Sequence, residues 1–287
     1  MRFGIHVPRQ RNLTSTAAYA QSIGCQAMQI FSGNPVGWPI GRLDPADRDG
    51  FVSIVGDSGI EPAIVHAPYV INLATAESKL RTRSRRALID AAARAVDLAA
   101  GPLVVHAGNH MGLGSDAGIE RAIETLDHVL DRAPEGARIA IEGGAGKGTE
   151  IGVTFEELAR IVEPFPVERV GIVLDTAHLW ALGYDLRSVP AVEAMLDEFE
   201  DGPGLHRLWA IHANDSLAEL GSRRDRHSLW SEGLMGTRAL RLLVRTRRLS
   251  GMPVIFEVPG DTEEFDRRRL RRMRRLDREA RRREAGG

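Results

Sequence analysis

Short apolar runs of strand length recur along the chain, and longer segments with helical periodicity separate them. Each run is too short for an ordinary helix, and turns rich in Gly and Pro, such as Gly101-Pro102, punctuate the joins. We predict eight strands: Phe3–Val7, Ala27–Phe31, Ala63–His66, Leu103–His106, Arg138–Glu142, Val170–Asp175, Leu208–His212 and Pro253–Glu257.

Several of the intervening segments begin with helix start signals. Thr14 precedes an alanine-rich segment, Asp44-Pro45 opens another, and Thr154 followed by Glu157 has the spacing of a capping box. Strands that alternate with helices and have no linker between them favour an α/β fold, a single (β/α)₈ TIM barrel with its active site at the C-terminal ends of the strands. A doubly wound open sheet is the alternative. Further predicted helices are Ser78–Ala100, Asp116–Arg132, Val189–Phe199, Thr237–Arg247 and Glu263–Arg283.

The composition excludes several classes of protein. With 43% hydrophobic and 27% charged residues, the 287-residue chain is neither disordered nor a coiled coil. Its apolar runs are too short to span a bilayer, so we expect no membrane association. The N-terminus enters a strand directly, and the single Cys25 cannot form an internal disulfide. We therefore expect a cytoplasmic protein.

Charge divides the chain unevenly. Residues 266–287 hold 11 arginines against four acidic residues, whereas residues 1–265 hold 27 basic and 35 acidic side chains. We expect a barrel domain over residues 1–265 and an Arg-rich helical tail over residues 266–287. The tail is either a flexible arm that binds phosphates or a helix docked on the barrel through Leu270, Met273 and Leu276.

Metal-capable side chains end six of the predicted strands. In a barrel these positions surround one mouth, and two short motifs, DTAH and DRH, add ligands in the loops just beyond it. One strand-end histidine is more often structural, but six such strands are not a chance pattern. Five imidazoles and four carboxylates suit Zn²⁺, Mn²⁺ or Fe²⁺, and they suffice for two or three ions. The nine candidates are His66, His106, Glu142, Asp175, His178, His212, Asp225, His227 and Glu257.

Other signals leave alternatives open. The glycine-rich segment around Lys147 lacks the Ser or Thr that a P-loop needs next to its lysine, so we expect no nucleotide cofactor. Trp38, Tyr69 and Trp180 follow strands on the active face, where they either stack on bases or pack in loops. His6 is a candidate to support a metal ligand.

The chain resembles the endonuclease IV family of apurinic/apyrimidinic (AP) endonucleases, which belongs to the xylose isomerase-like barrel superfamily. The resemblance runs from the first strand to Glu257 and rests on seven motifs in order. They are FSGNPVGW (31–38), HAPYVINLA (66–74), VVHAG (104–108), IEGGAGKGTEIG (141–152), LDTAHLWALGYD (174–185), IHANDS (211–216) and DRHSLWSEG (225–233).

The resemblance implies three zinc ions per chain, with Mn²⁺ or Fe²⁺ as substitutes. It implies His66 and His106 on the first ion, with Glu142 as the catalytic carboxylate that bridges to the second. It further implies Asp175, His212 and Glu257 on the second ion, and His178, Asp225 and His227 on the third. Four residues are expected to contact DNA, namely Tyr69, Asn34, Trp38 and His110.

The function that the resemblance implies is hydrolysis of duplex DNA on the 5′ side of an abasic site, leaving a 3′-hydroxyl and a 5′-deoxyribose phosphate. We expect the chain to act as a monomer, and the implied substrate places it at the nucleoid if the source is bacterial. Two departures from the family pattern, Val36-Gly37 and Gly143-Gly144, affect loops and not ligands. The alternatives are a metal-dependent sugar or inositol isomerase or epimerase on the same barrel, and a non-catalytic DNA-binding relative.

Overall fold

The computed structural model describes residues 1–38 and 41–285, with side chains through residue 282. Eight parallel strands form one sheet, namely β1 (Arg2–Ile5), β2 (Met28–Phe31), β3 (Ala63–His66), β4 (Leu103–His106), β5 (Ile139–Glu142), β6 (Val170–Asp175), β7 (Leu208–His212) and β10 (Pro253–Phe256). Their order in the sheet is β1-β10-β7-β6-β5-β4-β3-β2. The sheet closes between β1 and β2, where His6 and Gln29 form a parallel bridge. The predicted TIM barrel is confirmed.

Helices surround the barrel and follow its strands in turn. They are α1 (Leu13–Ile23), α2 (Pro45–Ser58), α3 (Ser78–Asp97), α4 (Ser115–Leu130), α5 (Phe155–Val162), α6 (Thr176–Leu182), α7 (Val189–Asp201), α8 (Gly236–Arg245) and α9 (Glu263–Ala285). The short helix α6 was not predicted, because its start signal is Asp175, the last residue of a strand. After β7 a small antiparallel hairpin pairs β8 (Asp215–Ser216) with β9 (His227–Ser228).

Of two predicted helix starts, one needs correction and the other is confirmed. Asn12, not Thr14, caps α1, because its side chain accepts a hydrogen bond from Ser15 N. Thr14 donates instead to Asp47 of the neighbouring helix. At α5 the Thr154 cap forms as predicted, with a 3.1 Å bond from Glu157 N to its hydroxyl.

A layer of small and branched side chains fills the barrel interior. It takes one buried residue from each of seven strands or the position just before them, namely Ala27, Ile64, Val104, Ala140, Val173, Ala210 and Ile255. On the remaining strand, β1, the neighbouring position is Gly4, where an added Cβ would lie 1.7 Å from the Ala27 carbonyl oxygen. Strands β1 and β2 can approach this closely only because residue 4 has no side chain.

The C-terminal helix α9 packs against the outside of the barrel. Leu270 and Met273 are buried, and the helix lies beside α1 and α8. The last two residues of the predicted tail lie outside the described residues. Within the described chain, no helix has both the length and the apolarity needed to cross a membrane.

The close approach at Gly4 predicts a strong asymmetry between two Gly→Ala substitutions. Gly4→Ala should lower the free energy of unfolding by about 3 kcal/mol or more, because the new methyl group would overlap the Ala27 carbonyl oxygen. Gly56→Ala in α2 has open space around it and should stabilise by about 0.5–1 kcal/mol. Urea unfolding followed by circular dichroism measures both, and a similar effect from the two changes would contradict this account.

Candidate metal centre

A ring of polar side chains lies directly above the apolar interior layer. In a strand, residues two apart face the same side, so each interior position is followed by another inward position nearer the carboxyl end. Two residues beyond Gly4 and the seven layer residues stand His6, Gln29, His66, His106, Glu142, Asp175, His212 and Glu257. The eight-stranded barrel thus turns eight separate sequence positions into one site.

Glu142 lies at the centre of this ring. Its Oε2 is 3.1 Å from His66 Nε2 and 3.4 Å from His106 Nε2. Its Oε1 is 2.9 Å from His212 Nδ1. The two oxygens therefore face different histidines, which is the geometry a bridging carboxylate needs.

The imidazoles are held by acceptors on the scaffold. His66 Nδ1 lies 2.7 Å from the carbonyl oxygen of the next residue, and His178 Nδ1 lies 2.7 Å from the Gly143 carbonyl. His212 Nε2 lies 2.8 Å from Gln29 Oε1. When these nitrogens donate, the other nitrogen of each ring keeps its lone pair and points into the ring of carboxylates. Metal-binding histidines are usually oriented in this way.

Side chains that follow β6 and β7 in the chain complete the arrangement. His178 lies on α6, Asp225 lies just before β9, and His227 begins that strand. The Asp225 carboxylate is 3.5 Å from His178 Nε2 and 2.9 Å from His227 Nε2. His227 Nε2 is buried, and no residue in the described part of the chain forms a well-aligned hydrogen bond with it. A buried nitrogen without such a partner is suited to a metal ion.

The ligand atoms converge in three sets, in each of which they lie within 4.8 Å of one another. The first set is His66, His106 and Glu142, the second is Glu142, Asp175, His212 and Glu257, and the third is Asp175, His178 and His227. Glu142 therefore belongs to the first two sets, and Asp175 belongs to the second and third. Asp225 is in none of the sets, but its carboxylate contacts His178 and His227 of the third.

The donor set fits divalent cations. Glu142 and Asp175 are about 1% exposed, and the Glu257 side chain is 12% exposed. Within the described residues, histidines are the only bases that pair with these three carboxylates. Buried carboxylates without lysine or arginine partners are costly unless a cation neutralises them.

The imidazoles partly supply that positive charge in the bare protein. Burial disfavours the charged form of His212, yet Glu257 and Glu142 raise its pKa to about 9. Burial likewise opposes charge on His227, and Asp175 and Asp225 raise its pKa to about 9. Burial, followed by repulsion from Glu257 and Glu142, raises the pKa of Asp175. Protons therefore balance the carboxylates until a metal displaces them.

Two residues that the sequence analysis did not propose as ligand partners hold the ring together. Gln29 accepts from His212 and donates a 2.8 Å bond to Glu257 Oε1 and a 3.0 Å bond to His6 Nδ1. Asn214 donates to Asp175 Oδ2 at 2.5 Å and to Glu257 Oε2 at 3.0 Å. The two-residue spacing from Ala27 would have identified Gln29. Within the described residues His6 forms no bond to a carboxylate, and its link to the metal-capable members of the ring is the bond from Gln29.

The predicted DNA contacts occupy different positions. Tyr69 is 55% exposed at the mouth, with its ring 5.4 Å from that of His66. Asn34 is exposed in the loop after β2 and accepts a bond from Val36 N. Trp38 is half-buried beneath the Arg83 guanidinium, and His110 accepts a bond from Gly114 N.

Trp180 is not available for stacking. It is 2% exposed, and its indole N–H donates to the Ala218 carbonyl. Of the three aromatic candidates, only Tyr69 lines the cavity of about 480 Å³ above the ring. Lys147 lies on the opposite glycine-rich loop and lines the same cavity.

The bonds made by Gln29 predict a specific loss of metal affinity. Gln29→Met keeps the approximate volume but leaves His212 Nε2 without its acceptor, so Zn²⁺ affinity should fall roughly 10- to 100-fold. Gln26→Met is the matched control, because the Gln26 side chain accepts a bond from Phe3 N near the opposite end of the strands. Competition with a chromophoric chelator measures both. Equal affinities in the two variants would contradict the role of Gln29.

Comparison with known proteins agrees with this geometry. Residues 17–281 match the family described as xylose isomerase-like TIM barrel. A probable endonuclease 4 from Heliobacterium modesticaldum is 38% identical over 268 residues, which is 93% of this chain and 96% of the relative.

Solved structures separate the family from the wider fold. Endonuclease IV from Thermus thermophilus superposes with a TM-score of 0.84 at 32% identity, covering 97% of this chain and 100% of that one. A D-tagatose 3-epimerase-like protein has a TM-score of 0.72 at 21% identity, with 97% and 99% coverage, and so shares the fold alone. Because 38% identity to a probable endonuclease 4 extends over 93% of the chain, this chain belongs to the endonuclease IV family.

Proposed function

We propose that the chain is a zinc-dependent AP endonuclease that hydrolyses duplex DNA on the 5′ side of an abasic site. The convergence of the nine metal-capable residues at one mouth is the observation that carries the proposal. The family relatives named endonuclease support it. We further propose that the products are a 3′-hydroxyl and a 5′-deoxyribose phosphate, and that the enzyme acts as a cytoplasmic monomer without a nucleotide cofactor.

We propose three zinc ions, with His66 and His106 on the first and Glu142 bridging it to the second. Asp175, His212 and Glu257 would hold the second ion. His178, Asp225 and His227 would hold the third, and the short distances from Asp175 to that set make it a second candidate bridge. When bound, the ions would lower the pKa of water to yield a nucleophile near neutral pH and neutralise the phosphate charge.

The scaffold fixes the positions of these ligands. Glu142 spans two ligand sets, and its pKa stays well below the usual range because His106 and His212 outweigh the effect of its burial. It is therefore ionised and acts as an acceptor only. Gln29 and Asn214 orient His212 and Glu257, and the Gly143 carbonyl orients His178.

Tyr69 is the side chain best placed to meet the substrate. Burial and the nearby carboxylates raise its pKa, so its hydroxyl stays protonated and can donate to a phosphate or sugar oxygen. Its ring packs edge-on against Phe31 and His66, which holds it upright at the mouth. A missing base lowers the cost of turning the nucleotide out of the stack toward this residue. Asn34, Trp38 and His110 would contribute from the rim.

The direct test is cleavage of a duplex that carries one tetrahydrofuran abasic analogue. The zinc-loaded protein should cut at the analogue, and protein stripped by a strong chelator should not until zinc is restored. Intact duplex after incubation with zinc-loaded protein would refute the proposal.

Variants test the assignment of Glu142. Glu142→Gln should lose at least about a hundredfold in kcat, because it removes the charge that faces two ligand sets. His128→Ala changes a histidine on α4 that is remote from the mouth, and it should stay within about twofold of wild type. Equal losses in the two variants would show that the ligand assignment is wrong.

A further inference from the structure

Helix α9 presents arginines along its outer face. Every exposed residue between positions 268 and 282 is an arginine except Glu279. Five of the arginines recur at spacings of three and four, so they fall on one side of the helix. We call this set the basic stripe, and it consists of Arg268, Arg271, Arg275, Arg278 and Arg282.

The apolar positions of α9 hold the basic stripe in place. Leu270 and Met273 are buried on the opposite side of the helix. The Arg274 guanidinium donates to the Gly24 carbonyl at the end of α1, and Asp277 accepts from the N-terminal ammonium of Met1 at 3.0 Å. The stripe is therefore presented by a rigid helix.

Most of the stripe lies away from the catalytic mouth. The metal-capable residues stand at the carboxyl ends of the strands, whereas Met1 precedes the start of β1 and contacts Asp277. The second half of α9 is therefore at the opposite end of the barrel. A duplex seated at the mouth would leave this half free.

The guanidinium groups of the stripe are weakly neutralised. Arg268 and Arg275 each lie 3.7 Å from a glutamate on the same helix, at more than 60% exposure. Arg271 and Arg278 form no ion pair with any described residue. Together with Arg272 and Arg274, these arginines alone line a shallow depression of about 560 Å³. Like charges this close repel each other, and an extended polyanion would relieve the repulsion.

The chemistry of the stripe favours double-stranded nucleic acid over other polyanions. From Arg268 to Arg282 the helix rises about 21 Å, along which a duplex presents about twelve phosphates. Single strands are usually held by aromatic stacking and membranes by inserted apolar side chains. No exposed residue from 268 to 282 supplies either.

We propose that the basic stripe of α9 is a second binding surface for duplex DNA, which contacts the phosphate backbone without regard to sequence or lesion. This proposal goes beyond the proposed nuclease function, which concerns only the residues at the mouth of the barrel. Such a surface holds the protein on undamaged DNA while the mouth remains open.

The test compares two triple variants of the full-length, zinc-loaded protein. Arg271→Gln, Arg275→Gln and Arg278→Gln remove three charges from the stripe. The control, Arg86→Gln, Arg132→Gln and Arg160→Gln, removes one charge from α3, one from the turn after α4 and one from α5. Fluorescence anisotropy measures binding to an undamaged duplex of about 20 base pairs over a series of salt concentrations. Thermal melting verifies that both variants fold.

The stripe variant should bind roughly tenfold more weakly, and the slope of log K against log salt should become shallower by about 2–3, since each phosphate contact contributes about 0.9. The control should bind nearly as wild type. Cleavage of a short abasic duplex at low salt should have the same kcat in both variants. Equal loss of duplex binding in both variants, or no loss in either, would overturn the proposal.

A further experiment with lipid vesicles tests whether the basic stripe binds a lipid surface instead of DNA. Sedimentation with vesicles of phosphatidylcholine and phosphatidylglycerol should show no binding that depends on the stripe. Stripe-dependent vesicle binding without stripe-dependent duplex binding would overturn the proposal. If no sample cleaves abasic DNA while duplex binding still depends on the stripe, the nuclease function fails and this surface stands.

Discussion

Three carboxylates buried at one level of a barrel are the constraint on which the site depends. Glu142, Asp175 and Glu257 cannot stay charged there without compensation, and the only bases paired with them in the described structure are imidazoles. Against the effect of burial, the neighbouring carboxylates raise the pKa values of His212 and His227 to about 9, so these imidazoles hold protons in the bare protein. Divalent cations meet the same need more completely, so the site is organised around positive charge.

The barrel interior determines where this charge can sit. Gly4 and Ala27 bring β1 and β2 together, and the small interior layer leaves the next level free for polar groups. Gln29 comes from that closure point and contacts two ligands at once. Scaffold packing and ligand orientation are therefore coupled, because Gln29, which orients His212, lies on one of the two strands that close the barrel.

Much of the architecture could be predicted from the sequence, because strand and helix periodicities differ and six strands end on metal-capable residues. Gln29 and His6 were harder to assign, since the apolar runs of β1 and β2 continue beyond them and hide the inward position. Asp175 is both the last residue of β6 and the N-cap of α6, so the sequence has no separate start signal for this helix. The apolar spacing of α9 allowed both a docked helix and a free arm, and tertiary contacts decide between them, as they decide the burial of Trp180.

The number of metal ions per chain is the most direct test of a multinuclear centre at the mouth. The measurement is elemental analysis of the protein after equilibration with zinc and removal of free metal by gel filtration. The account predicts one ion for each of the three ligand sets. A content of one ion per chain or less would contradict it, because the three carboxylates would then lack the cations that the arrangement requires.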